Sequence, residues 1–278
     1  MTSHKPVTVA DGWFQNKAGL TNRGFRDVGG SIHTSQTILA TNATLLVNAI
    51  GTDPEDWDRE AIKRKIVDDN IFAKRTESAR LGSLRDMIAL YGFDAPPPVT
   101  RAALAVWDAA SNRSLLLGVL AVARDPILRA SAGAILAAEP GQSISFRTMA
   151  AYLELEYPGR FSVGTLRAVG ERCVSSWAQM GLLTQDVQRR RIAANPDSAV
   201  VAFATFLAVC AGYAGAAILE SNWFRLLDVS SEQALSLLRR AEAMGDIRVR
   251  IAGHVFDIDL AGQLATIATA GERAYVLL

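Results

Sequence analysis

The chain has 278 residues, half of them apolar and 7% aromatic, with 29 basic and 28 acidic side chains. That length holds two small domains or one larger one, and a net charge of +1 excludes a protein that coats nucleic acid through bulk charge while leaving room for a local basic face. Two cysteines, Cys173 and Cys210, exclude a disulfide framework and fit a reducing cytoplasm.

Residues 1–30 are polar and lack a steady period, which predicts a partly ordered arm; the first ten have no apolar run of the signal-peptide kind. An N-terminal helical region is predicted over residues 31–95. Ile38, Leu45, Leu46 and Ile50 recur at helical spacing and predict a helix over 31–50. Gly51 and Pro54 interrupt it. Asp53 can cap the next helix, with Pro54 at its first position and Trp57, Ile62, Ile66 and Val67 along it. A further helix over 74–91 carries Leu81, Leu84, Ile88 and Leu90, and Gly92 ends it. Basic residues from Arg59 to Arg85 alternate with Glu60, Asp68, Asp69, Glu77 and Asp86, the pattern of a solvated, ion-paired helix surface.

Pro96-Pro97-Pro98 is the clearest break. Beyond it, residues 99–195 predict helices near 100–109, 114–123 and 126–138, the last started by Asp125-Pro126 and ended by Pro140-Gly141. A helix over 143–157 follows from a serine cap. Pro158-Gly159 makes a turn, and Ser162 caps a helix over 163–180 that Gly181 stops. Leu182-Leu183, a polar turn at 184–186 and residues 187–192 then read as a short hairpin. Helix, turn, helix, hairpin is the order of a winged helix.

Residues 196–278 make the last region. Its stretch 199–219 is uncharged and long enough to span a bilayer, but eight of its residues are alanine and two are glycine. A buried central helix is the reading that fits, with no membrane partner. Ser230 and Ser231 cap a helix over 232–244. Ile247–Ile251 and residues 255–259 then alternate on either side of a turn containing Gly253, predicting a second winged unit. The fold class is therefore mainly α, a helical N-terminal region followed by winged-helix modules.

A helix whose first turns enter the major groove reads base edges, and a wing meets phosphates. Arg160, Ser162, Thr165, Arg167 and Arg172 lie along the second helix of the first unit, and Arg189, Arg190 and Arg191 in its wing; alternation should turn one or two of the last three toward solvent. These eight are the candidate DNA-binding residues, the alternative being a helical hairpin with a solvated arginine run. In the second unit Arg239, Arg240, Arg248 and Arg250 are mixed with Asp228, Glu232, Asp257 and Asp259, which fits a structural or protein-binding module better. No catalytic residue, cofactor or metal is expected. His4, His33 and His254 have no metal-ligand spacing, no phosphate loop is present, and Gly29-Gly30-Ser31 alone is too little for an anion site.

Residues 66–80 read Ile-Val-Asp-Asp-Asn-Ile-Phe-Ala-Lys-Arg-Thr-Glu-Ser-Ala-Arg. An acidic pair, an asparagine, an apolar pair and Arg-Thr before a small-residue run resemble the N-terminal part of the small A-component of BREX phage-defence systems. With the helix-turn-helix order, the resemblance covers about residues 25–195. It implies a helical, winged-helix, non-enzymatic protein that binds double-stranded DNA beside other phage-defence subunits, or a scaffold of such a complex without direct DNA contact. The present chain extends further at its C-terminus than a short member would.

Overall fold

The computed structural model describes residues 12–26, 31–252 and 255–276. Short polar side chains set most helix starts by accepting hydrogen bonds from the orphan N–H groups of the first turn. Asp58 begins α2 (Arg59–Lys63) in this way, Thr76 begins α3 (Glu77–Tyr91), Asn112 begins α5 (Arg113–Arg124) and Asp125 begins α6 (Pro126–Leu136). Ser145, Ser162 and Asp197 do the same for α7 (Phe146–Glu156), α8 (Val163–Gln179) and α9 (Ser198–Cys210).

The N-terminal region departs from the expected pattern in two places. The helix expected over 31–50 is a 3-10 turn (Ile32–Thr34), an irregular stretch and α1 (Ala40–Ile50). The Ser31 hydroxyl and Asp125 accept from the backbone N–H groups of His33 and Ile32 and seat the turn, and Leu39, at φ 51°, breaks the helical run just before Ala40. The helix expected after Asp53 is likewise split. Asp53 caps only the 3-10 turn Pro54–Asp56, and α2 starts afresh at Asp58 and runs into a π-helix (Arg64–Asp68). Along this basic stretch Lys65 pairs with Asp69 at 3.0 Å and Lys63 with Glu60 at 3.7 Å.

Pro98 occupies the first position of α4 (Pro98–Ala105), and the proline run forms the bend between α3 and α4. It does not separate two cores: one cluster of buried apolar side chains extends from Trp13 to Leu264. Within the predicted arm, residues 12–26 send apolar side chains into the core while Gln15–Ala18 stay exposed. Trp13, Leu20 and Phe25 are buried, Trp13 meets the Trp223 ring edge-on at 4.7 Å, and the N–H groups of Gln15 and Asn16 donate to Ala211 O.

Eleven of the thirteen residues of α9 are buried, and it packs against α4, α5, α11 (Asn222–Arg225) and α12 (Ser231–Ala243). The uncharged stretch ends as a helix at Cys210, where Gly212 (φ 92°) turns the chain back before α10 (Ala217–Glu220). Among the described residues no helix is long and apolar enough to cross a membrane. The chain closes with α12, started by a capping box at Ser230 and Gln233, the antiparallel pair β1 (Ile247–Ala252) and β2 (Val255–Leu260), and α13 (Gly262–Val276). The architecture is mainly helical. His4, His254, Gly29 and Gly30 lie outside the described residues.

Candidate nucleic-acid interface

The sequence-predicted site lies on α7, α8 and the chain that follows. Met149 and Leu153 of α7 and Val169, Cys173 and Trp177 of α8 turn inward, while the opposite positions stay in water. Gly170 lets α8 lie flush on the first turn of α7, since a Cβ there would sit 2.7 Å from Phe146 O. Trp177 Nε1 donates to Ser131 Oγ at 2.8 Å and fixes α8 to α6.

Beyond Gly181 three short extended pieces lie side by side. Leu183 bridges Arg191 and Ser143 bridges Arg190, both antiparallel. Arg191 N donates to Gln142 O and Thr184 N to Arg190 O, each at 2.8 Å. The connecting turn is held by Asp186, which accepts from the Thr184 hydroxyl at 2.7 Å and from the N–H groups of Gln188 and Arg189. The Thr184 hydrogen bond, ahead of those backbone bonds, holds the Asp186 carboxyl below the ordinary carboxylate range.

Ser162 and Thr165 are exposed on the first turn of α8, where Ser162 Oγ also caps the helix. Arg160 is exposed, and its guanidinium lies 4.9 Å from the Tyr157 ring centroid and 5.4 Å from that of Phe161. Arg167 is 67% exposed; its Nε donates to Glu171 Oε1 at 2.9 Å. An i,i+4 pair so open to water is worth only about 0.5 kcal/mol, so a stronger anion can take the arginine. Arg190 is exposed at the hairpin, with its Nη1 donating to Gly141 O. Arg189 is half-buried and braces the turn by donating to Thr184 O.

Two of the eight residues depart from the expectation. Arg191 is 3% exposed and forms a two-oxygen pair with Asp228 at 2.6 and 2.7 Å, so it cannot reach DNA. The alternation that exposes Arg190 sends its neighbour inside. Arg172 is half-buried and donates to Thr34 O at 2.8 Å, which assigns it to holding the 3-10 turn on α8. The second basic set is offset by carboxylates. Arg250 lies 3.9 Å from Asp257 and 4.0 Å from Asp259 across the β1–β2 register, and Arg239 pairs with Glu242 at 2.8 Å.

No family model, curated protein or solved structure matches this chain.

Sequence reasoning missed Arg147. It is exposed in the first turn of α7, and its guanidinium lies 5.0 Å from the Phe146 ring centroid, the ring that Arg167 also approaches at 5.2 Å. Its position opposite the apolar stripe Met149–Leu153 was a usable signal. The sequence also gave no hint of a buried network centred on His33. Its Nδ1 lies 2.9 Å from Asp125 Oδ2 and its Nε2 lies 2.8 Å from Ser176 Oγ, in the order of a serine hydrolase triad. All three side chains are at most 1% exposed, and Ser176 Oγ also donates to Arg172 O within α8. Shielded from solvent, this network ties the 3-10 turn to α6 and α8. Among the described residues no group of three His, Cys, Asp or Glu side chains is placed to hold a metal ion.

Proposed function

We propose that α6, α7, α8 and the hairpin after Gly181 act as a winged-helix module that contacts double-stranded DNA, in a non-enzymatic component of a BREX-like phage-defence system. The observation that carries the DNA reading is the joint exposure of Ser162, Thr165 and Arg167 on the leading turns of α8, with Arg190 exposed on the adjoining hairpin. Between residues 143 and 192 the chain carries seven arginines and four carboxylates, of which Arg147, Arg160, Arg167 and Arg190 and all four carboxylates are exposed, so the reading rests on where these arginines sit and not on a net excess of surface charge. Arginines that meet phosphates bind DNA by displacing counterions, which makes affinity fall steeply with salt. The defence-system assignment rests on the resemblance of residues 66–80 and of the element order.

The test is duplex binding by the purified chain across a salt series. Arg167→Glu combined with Arg190→Glu is expected to weaken binding and flatten its salt dependence. Duplex affinity that is unchanged in this variant at low salt would overturn the reading. A second reading, a protein-interaction scaffold of the same complex, is favoured by Val163 and Val187, which are 89% and 99% exposed on the same unit. In that case the chain ignores duplex DNA and co-purifies with a partner subunit, and Val163→Glu or Val187→Glu breaks the association.

A further inference from the structure

We infer that Arg147, Phe146 and Arg167 form a preformed two-guanidinium clamp for a backbone phosphate. This rests on the reading that the module meets a duplex, and it adds a contact on α7 that the helix-and-wing arrangement does not supply. Both guanidinium carbons lie close to one ring, 5.0 and 5.2 Å from its centroid, which keeps the two cations within about 10 Å of each other. They come from different helices, and Gly170 sets their spacing by letting α8 seat against Phe146 O.

An arginine stacked on an aromatic face has lost much of its rotamer freedom before any ligand arrives. Binding then costs less ordering than it would for two free side chains. Planar guanidinium groups also present paired N–H donors that match phosphate oxygens. The competing anion is Glu171, 50% exposed and paired with Arg167 Nε. A phosphate diester approaching from solvent offers Arg167 an equivalent acceptor and offers Arg147 an acceptor as well. Phe146 is a positioning residue here: it touches the cations and not the phosphate. The pairing of Arg160 with Tyr157 and Phe161 at the α7–α8 turn repeats the device nearby.

The experiment is fluorescence anisotropy of a labelled duplex with the full chain over a salt series. Arg147→Gln and Arg167→Gln should each reduce the slope of log affinity against log salt by about 1, the signature of one lost phosphate contact. Phe146→Leu should weaken binding about threefold to tenfold with the slope retained, and Phe146→Tyr should restore it. Glu171→Gln should tighten binding, which a purely structural role for the cluster does not predict. A wild-type chain that binds no duplex overturns the DNA reading and this clamp with it. A wild-type chain that binds, with slopes unchanged in both arginine variants, overturns the clamp alone.

Discussion

Ala73 holds a φ of 50° in the loop between the π-helix and α3, a region where an L side chain is strained by about 1–2 kcal/mol. Asn70, itself at φ 49°, fixes that loop by accepting from Lys74 N and donating to Lys74 O. The Ala73 side chain is exposed, so its removal loses no packing. Ala73→Gly is therefore expected to stabilise the chain by about 0.5–1 kcal/mol after the added freedom of the unfolded state is subtracted, read as a higher urea midpoint. Asp125 gives a pH dependence. Burial alone would raise its carboxyl, but the His33 ring and hydrogen bonds from His33, Ser31 and Leu128 N–H outweigh it and bring the group to about 2. A depressed folded value means that its contribution is complete above the unfolded value near 4 and disappears as pH falls toward 2. That contribution is about 2 kcal/mol. Asp125→Asn should lower stability at neutral pH and remove this part of the acid sensitivity, measured as urea midpoints between pH 6 and pH 2. The cap role of Asp125 was legible because it needs only the next three residues. Its partner His33 and the Ser176 hydroxyl beyond that ring were not, being 92 and 51 positions from Asp125 with nothing local to mark them.

At the scale of elements, apolar spacing and cap residues located α3, α5, α6, α7, α8 and α12 to within a few positions, since each opens on a side-chain acceptor and all but the almost wholly buried α5 and α6 bury one stripe. Periodicity failed where the backbone leaves helical angles, as at Leu39 with φ 51°, and where a π-helix keeps apolar residues inward with a different hydrogen-bond step. It also could not show that two helices meet at Gly170. The close approach there makes a specific demand. A methyl group at this position would lie 2.7 Å from a backbone oxygen, which cannot swing away as a side chain can. Gly170→Ala is expected to destabilise by about 1–3 kcal/mol by pushing α7 and α8 apart, seen as a fall of several degrees in Tm. Gly118 is the contrast. The three atoms nearest to its added Cβ all belong to the flexible Met180 side chain.

For the whole molecule, alternation placed consecutive arginines on opposite sides of the chain, but which side faced the core depended on Asp228, 37 positions from Arg191. Arg191 is the one turned inward, and its partner Asp228 joins the hairpin to the chain after α11. The two ions are unequally covered, 3% against 27% exposed. Removing the carboxylate strands a cation that water cannot reach, whereas removing the cation leaves a carboxylate that water can still solvate. Asp228 has φ 53°, which asparagine tolerates well, and an amide oxygen can still accept from Ala194 N, so Asp228→Asn isolates the charge. We expect Asp228→Asn to cost about 3 kcal/mol and Arg191→Met clearly less. Adding Arg191→Met to Asp228→Asn should then recover part of the loss, because the stranded cation is gone. Equal and additive costs in thermal unfolding of the three variants would mean that the pair contributes nothing as a pair. The hairpin would then be held to the C-terminal helices by packing alone.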